Sequence, residues 1–242
     1  MKIKAVSFDA AGTLLENHYR PGKFARACAE EVGVYASEAD ERVYQSLLRL
    51  RIEDFWRANR ARERVAVDAF WLELTSDWLG QIGSDPAVAP QLVKVAQVQM
   101  TQSDRWFKVF EDVLPALNHL DSLGIPALVL SNWDRSLHDI LEGKGLAGRF
   151  KRVVASLEEG FEKPDPRIFQ ALIKPLGLKP EEVMHIGDDV GDDFNGGMDA
   201  GFHVGWLKRL STERTCEWTP EPRRLQMIAP RLTDFVEVIS SL

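Results

Sequence analysis

The stretch that most constrains this chain is Val6-Ser7-Phe8-Asp9-Ala10-Ala11-Gly12-Thr13-Leu14. The apolar, β-branched run from Ile3 to Phe8 is short and carries no helical period, so it reads as a buried strand. It ends in an aspartate, then small residues, then a glycine turn and a threonine. Such a strand delivers Asp9 to its C-terminal edge, which is where open α/β sheets bind ligands. Alone, an aspartate after a strand is as well explained by a turn or a helix cap. Three further segments change that balance.

The second is Ile125 to Leu130, followed by Ser131-Asn132-Trp133-Asp134. The hydroxyl of Ser131 and the amide of Asn132 suit phosphate oxygens; Asp134 reads better as a cap. The third is Arg152 to Ser156, then a loop and Glu162-Lys163-Pro164-Asp165-Pro166-Arg167. The two prolines stiffen the backbone around Asp165. Pro166 is placed to open a helix, which holds Lys163 at the helix mouth. The fourth is Val183 to Gly187, followed by Asp188, Asp189, Asp192 and Asp193 within six residues. Carboxylates this dense repel one another unless solvated or joined by a cation. At a strand end, an all-oxygen set points to magnesium rather than zinc. His185 sits inside an apolar strand and reads as a hydrogen-bonded core histidine. His18, just past the first segment, is a weaker candidate for the site.

This ordered set resembles the haloacid dehalogenase-like hydrolase superfamily over nearly the whole chain, and within it the branch with a helical cap inserted after the first motif. Asp9 to Thr13 is similar to the first motif, Ser131 to the second, Lys163 to the third, and Gly187-Asp188 with Asp193 to the fourth. The resemblance implies a nucleophilic Asp9 that forms an aspartyl-phosphate, with Thr13, Ser131 and Lys163 as its catalytic partners. Ser131, Asn132 and Lys163 would hold the transferring group. Mg2+ would sit on Asp9, the Ala11 carbonyl, Asp188 and Asp193. It implies a Rossmann-like, doubly wound parallel α/β sheet over residues 1–15 and 104–242, with an all-α cap over 16–103.

One position departs from the pattern. Phosphatases of this family carry an aspartate two residues after the nucleophile, which protonates the leaving oxygen and then activates water. Here Ala11 stands there. Loss of a positioned general acid–base removes roughly 10²–10⁴ in rate. Three readings follow: a magnesium-dependent phosphatase of a small phosphorylated metabolite, slowed by Ala11; a dehalogenase- or phosphonatase-like hydrolase; or a binding protein that keeps a phosphate pocket. Dehalogenases need no metal, which would leave the acid cluster unused. A phosphonatase needs a cap lysine, and Lys23 and Lys94 stand in no recognisable setting.

The remaining sequence agrees. A formal net charge of −7 argues against broad nucleic-acid or anionic-membrane binding; Lys163 and Arg135 could supply local positive charge for a small anion. The two cysteines, Cys28 and Cys216, are far apart and suit a reducing, cytoplasmic setting. No apolar run approaches a membrane span.

From Pro21 to Ser103 the pattern is helical, over Phe24–Val32, Glu38–Arg60, Val65–Leu79 and Val88–Met100. Val43, Leu47, Leu50 and Phe55 are spaced for one face of the second. The aromatics Phe55, Trp56, Phe70, Trp71 and Trp78 read as core of this bundle. Beyond it, helices alternate with strands, a fifth strand runs over Phe202–Leu207, and the proline-bearing tail (Pro220, Pro222, Pro230) reads as loop up to a last helix at Leu232.

Overall fold

The computed structural model describes residues 2–220 and 223–242. The chain forms two compact units, one of Met1–Glu16, Val109–Asp134 and Gly145–Leu242, the other of Asn17–Lys108 and Arg135–Lys144. Nine strands are present among the described residues: β1 (Ala5–Phe8), β2 (Leu15–Asn17), β3 (Phe107–Val109), β4 (Ala127–Ser131), β5 (Phe150–Ala155), β6 (Val183–Gly187), β7 (His203–Leu207), β8 (Thr215–Trp218) and β9 (Leu225–Ala229). β2 and β3, where the chain leaves and re-enters the first unit, pair with each other.

The first unit is built on a seven-stranded sheet of order β5-β4-β1-β6-β7-β9-β8. Every pairing is parallel except β8 with β9. β1, β4 and β6 are buried along their whole length, as expected for strands covered on both faces. Alternate residues show the two layers directly. A Cβ on Gly205 would meet the Phe235 ring of helix Leu232–Ser240 at 2.6 Å, whereas one on Gly197 of the short helix Gly196–Asp199 would meet Val204 at 2.8 Å. Gly205 and Val204 are neighbours on β7, so their side chains face opposite sides. Leu128, Leu130 and Val154 pack with Ile168, Phe169 and Leu172 of helix Pro166–Ile173. The chain builds outward from β1 to β4 and β5, then crosses back to β6. That reversal beside β1 is the switch point at which such sheets open a crevice.

The proline-bearing tail is not loop up to Leu232. Residues 225–229 form β9, with Leu225, Met227 and Ala229 buried and Gln226 and Ile228 half-buried. Pro220 and Pro230 lie outside the strands they bound, where the missing N–H breaks no ladder bond; Pro222 lies outside the described residues. The last helix starts at Leu232 as the sequence indicates.

The second unit is helical, over Pro21–Glu31, Glu38–Leu50, Ile52–Arg60, Arg64–Gln81, Ala89–Gln102 and Ser136–Gly143. The segment expected as one helix from Glu38 to Arg60 is two, broken at Arg51 (φ −104, ψ 19). The Arg51 guanidinium pairs with Glu73 at 2.7 Å and Asp77 at 2.9 Å. Leu47 and Phe55 are buried while Leu50 is 82% exposed, because the buried face of its helix runs through Tyr44 and Leu47. Phe55 packs against both Phe70 and Trp71. Buried Trp78 meets Tyr44 edge-on and donates its indole N–H to the Asp40 carbonyl at 2.8 Å. No helix among the described residues is long and apolar enough to cross a membrane.

Gly205 leaves no room for a side chain between β7 and the last helix. Gly205→Ala should lower stability by about 1–3 kcal/mol through overpacking against Phe235 and Ile186, measured by urea unfolding. A change under a few tenths of a kcal/mol would show that this layer yields freely.

Candidate active site

Phe8 pairs with Val129 on one side and Ile186 on the other. The register therefore brings the residues that follow β1, β4 and β6 to one edge. Asp9, Thr13, Ser131, Lys163 and Asp193 are all buried there, and Asp188 is the exposed member of the group. Lys163 Nζ lies 2.6 Å from Asp9 Oδ1 and also pairs with Asp193 Oδ1. Ser131 Oγ donates to the same Asp9 oxygen at 2.9 Å. Two donors on one carboxylate oxygen hold Asp9 in a single orientation.

Each of these side chains is aimed by local structure. Both ends of the Asn132 amide grip the backbone of Lys163: Oδ1 accepts its N–H at 2.7 Å, and Nδ2 donates to its carbonyl at 3.0 Å. Nδ2 also reaches Asp192 Oδ2 at 3.1 Å. Downstream, Asp165 caps the helix that Pro166 opens, accepting the Arg167 N–H at 2.9 Å. Asp193 is carried by a wide helical turn in which the Phe194 N–H reaches back five residues to the Asp189 carbonyl. Such turns recur at functional sites. A Cβ on Gly187 would overlap the Asp193 carboxyl, and one on Gly12 would overlap that of Asp188. Gly12 also has φ +80, a conformation glycine adopts without steric cost. Thr13 directs its hydroxyl to Asp188 Oδ1 at 3.1 Å rather than toward Asp9. The backbone hydrogen bonds of this turn run to the carbonyls of Ala10 and Leu15, and the Ala11 carbonyl is outside them.

The electrostatics divide the acids. Burial alone would lower the Lys163 pKa, but the charges of Asp9 and Asp193 outweigh it and raise the value. Asp193 is held well below the usual carboxylate range, because Lys163 and His185 overcome its burial. Burial raises the pKa of Asp9 despite Lys163. Asp188 is pushed up to about 6, first by desolvation and then by the charges of Asp9 and Asp193. Asp9, Asp188 and Asp193 each place an oxygen within 4.8 Å of the others. Three carboxylates stand against one ammonium, so negative charge is left over, and every donor is a hard oxygen. That donor set fits a divalent cation of the magnesium type.

The structure thus gathers Asp9, Ala11, Thr13, Ser131, Asn132, Lys163, Asp188 and Asp193 in one unit, while His18 and Arg135 belong to the helical unit. His185 is hydrogen-bonded inside the core, and its partners link it to the site. Its Nδ1 lies 3.0 Å from Ser7 Oγ and its Nε2 3.0 Å from Asp193 Oδ1. Ser7 and His185 share a register position on adjacent strands. Spacing within the sequence carries no trace of that pairing.

A model of the haloacid dehalogenase-like hydrolase family matches residues 3–201. Haloacid dehalogenase-like hydrolase domain-containing protein 3 of Danio rerio is 28% identical over 228 residues, covering 93% of each chain. Glyceraldehyde 3-phosphate phosphatase of Methanopyrus kandleri is 30% identical over 221 residues, covering 86% of this chain and 84% of that protein. Among solved structures, a 2-haloacid dehalogenase from Pseudomonas syringae superposes with a TM-score of 0.68 over 99% of both chains at 22% identity, which speaks to the fold. With the family's model spanning β1 through β6 and all four site-bearing strand ends, this chain belongs to the haloacid dehalogenase-like hydrolases.

Proposed function

We propose that the protein is a magnesium-dependent phosphatase of a small phosphorylated metabolite, working through an aspartyl-phosphate on Asp9. The observation that carries this reading is the buried Asp9–Lys163–Asp193 array with the Asp188 carboxyl beside it. A relative named as a glyceraldehyde 3-phosphate phosphatase supports the reaction class. In this reading residues 16–103 are the cap domain of the helical-insert branch.

Asp9, Asp188 and the Ala11 carbonyl would hold the magnesium, with Asp193 beside them. When bound, the cation would supply Lewis-acid stabilisation of charge on the phosphoryl oxygens. Asp9 attacks phosphorus and forms an acyl phosphate as the ester oxygen departs. Ser131 and Lys163 hold Asp9 in line for attack and donate to the transferring group, Lys163 as a point charge. Asn132 keeps the Lys163 backbone in place. No side chain at position 11 can protonate the leaving oxygen or draw a proton from water, so turnover is slow on esters with basic leaving groups.

Inorganic phosphate release from a panel of phosphorylated metabolites tests the proposal. Release should require Mg2+ and fall at least roughly 10³-fold in Asp9→Asn, as when a covalent nucleophile is removed. Metal-independent halide release from a 2-haloacid, with no phosphate release, would replace this reading with a dehalogenase.

Ala11→Asp should speed hydrolysis of alkyl phosphates by up to about 10²–10⁴-fold and of nitrophenyl phosphate much less, since nitrophenolate needs no proton. Equal gains on both would show that proton transfer is not what the wild type lacks.

Asp188 makes a separate prediction for the metal-free protein. Its folded pKa of about 6 lies above the ordinary aspartate value of 3.8, so folding takes up a proton between those values. Stability therefore falls as pH rises through that window. Asp188→Asn should flatten this slope and raise the metal-free Tm at pH 7, while abolishing the Tm increase on adding Mg2+. A lower Tm with the Mg2+ response intact would exclude Asp188 from the metal site.

A further inference from the structure

The end of β7 and the loop after it send two side chains back to the loops that bear the acids. Trp206 donates its indole N–H to the Asp188 carbonyl at 3.0 Å. Three residues on, Arg209 Nε donates to the Gly12 carbonyl at 3.1 Å and Nη2 to the Thr13 carbonyl. The guanidinium is itself fixed. Nη1 lies 3.1 and 3.2 Å from the two oxygens of Asp112, and the Phe110 ring centroid is 3.6 Å from its central carbon. Asp112 Oδ2 also accepts the Leu232 N–H at 2.8 Å, which ties this network to the start of the last helix. Arg209 lies outside all four motif segments.

We propose that Trp206 and Arg209 form a strut that sets the spacing between the Gly12–Thr13 turn and Asp188, with Arg209 as a positioning residue for the cation site. Gly12 abuts the Asp188 carboxyl with no room for a Cβ, and Thr13 hydrogen-bonds it. A small shift of the turn therefore moves both the Ala11 carbonyl and the Asp188 carboxyl. The fork on two successive carbonyls fixes the turn's angle, which one donor could not. The consequence for cation binding rests on the metal reading above.

Charge and position make opposite demands here. Arg209 is close enough to Asp188 for their charges to interact, so its charge alone repels a cation held there. If that were its whole effect, removing it would tighten Mg2+. If it is a strut, removing it weakens Mg2+ although a repulsive charge has gone.

The test uses the full chain at a temperature where circular dichroism shows each variant folded. Calorimetry with Mg2+ should show Arg209→Gln binding about 10–100-fold more weakly, the range for loss of a residue that orients metal ligands. Arg209→Lys, which keeps the charge and loses the fork, should also weaken binding. Wild-type affinity in the Lys variant, or unchanged or tighter binding in the Gln variant, overturns the strut. Amide exchange on the metal-free proteins reads the turn directly. Gly12, Leu14 and Leu15 should exchange faster in Arg209→Gln, with Val6 and Phe8 unchanged. Should wild type bind no Mg2+, the metal reading fails by itself. Exchange then decides the strut: faster exchange upholds it and unchanged exchange overturns it. If Arg209→Gln does not fold, Trp206→Phe removes the indole N–H and keeps an aromatic ring. It should weaken Mg2+ in the same direction, and wild-type affinity there overturns the proposal.

Discussion

The Lys163 ammonium lies between Asp9 and Asp193 with all three side chains buried, and the rest of the site is arranged around that contact. An ammonium removed from water without partners is strongly disfavoured. Two carboxylates packed this closely repel. Together each makes the burial of the others tolerable, on the condition that geometry is held closely. The surrounding structure meets the condition mostly through backbone contacts. Asn132 grips the main chain of Lys163, a wide turn delivers Asp193, and Ser131 and Ile186 fix Asp9 through its side chain and its N–H. His185 adds a second contact to Asp193 from within the sheet.

Much of this was legible in the sequence because it depends on local patterns. Short apolar runs that end in Asp9, Ser131 and Gly187-Asp188 read together as buried strands that bring polar groups to one edge. Pro166 reads directly as a first helical position. Features that depend on register between distant segments were not legible. The contact of His185 with Ser7 and Asp193 joins residues that are adjacent only once β1 and β6 are paired. Leu50 fits a helical stripe in sequence but faces solvent, because the face that its helix buries runs through Tyr44 and Leu47. The β8–β9 hairpin was hidden by prolines that flank strands rather than interrupt them. Arg209 sits on a loop with no motif around it, and what it reaches in the first-motif turn is two backbone carbonyls, which leave no mark on residue identity.

The site also separates two tasks that one loop usually combines. In the proposed phosphatase reading, the groups that would bind and neutralise phosphate charge, Ser131 and Lys163, are in place and paired with Asp9, whereas Ala11 carries no proton. Electrostatic preorganisation is commonly the largest part of catalysis. A site built this way can therefore keep its affinity for a phosphoryl group while its rate becomes sensitive to the leaving group.

The spacing of these contacts along the chain has a further consequence for biosynthesis. Asp9 meets Ser131 across 122 residues and Lys163 across 154, and Asp193 lies beyond both. Contacts this distant in sequence make for slow folding. A nascent chain presents Asp9 first and holds it in water while the whole helical unit is translated. The lysine emerges before its second carboxylate, with only one partner on offer. Burial of the charged array is thus deferred until β6 and the turn after it have left the ribosome, and no shorter fragment can close the site.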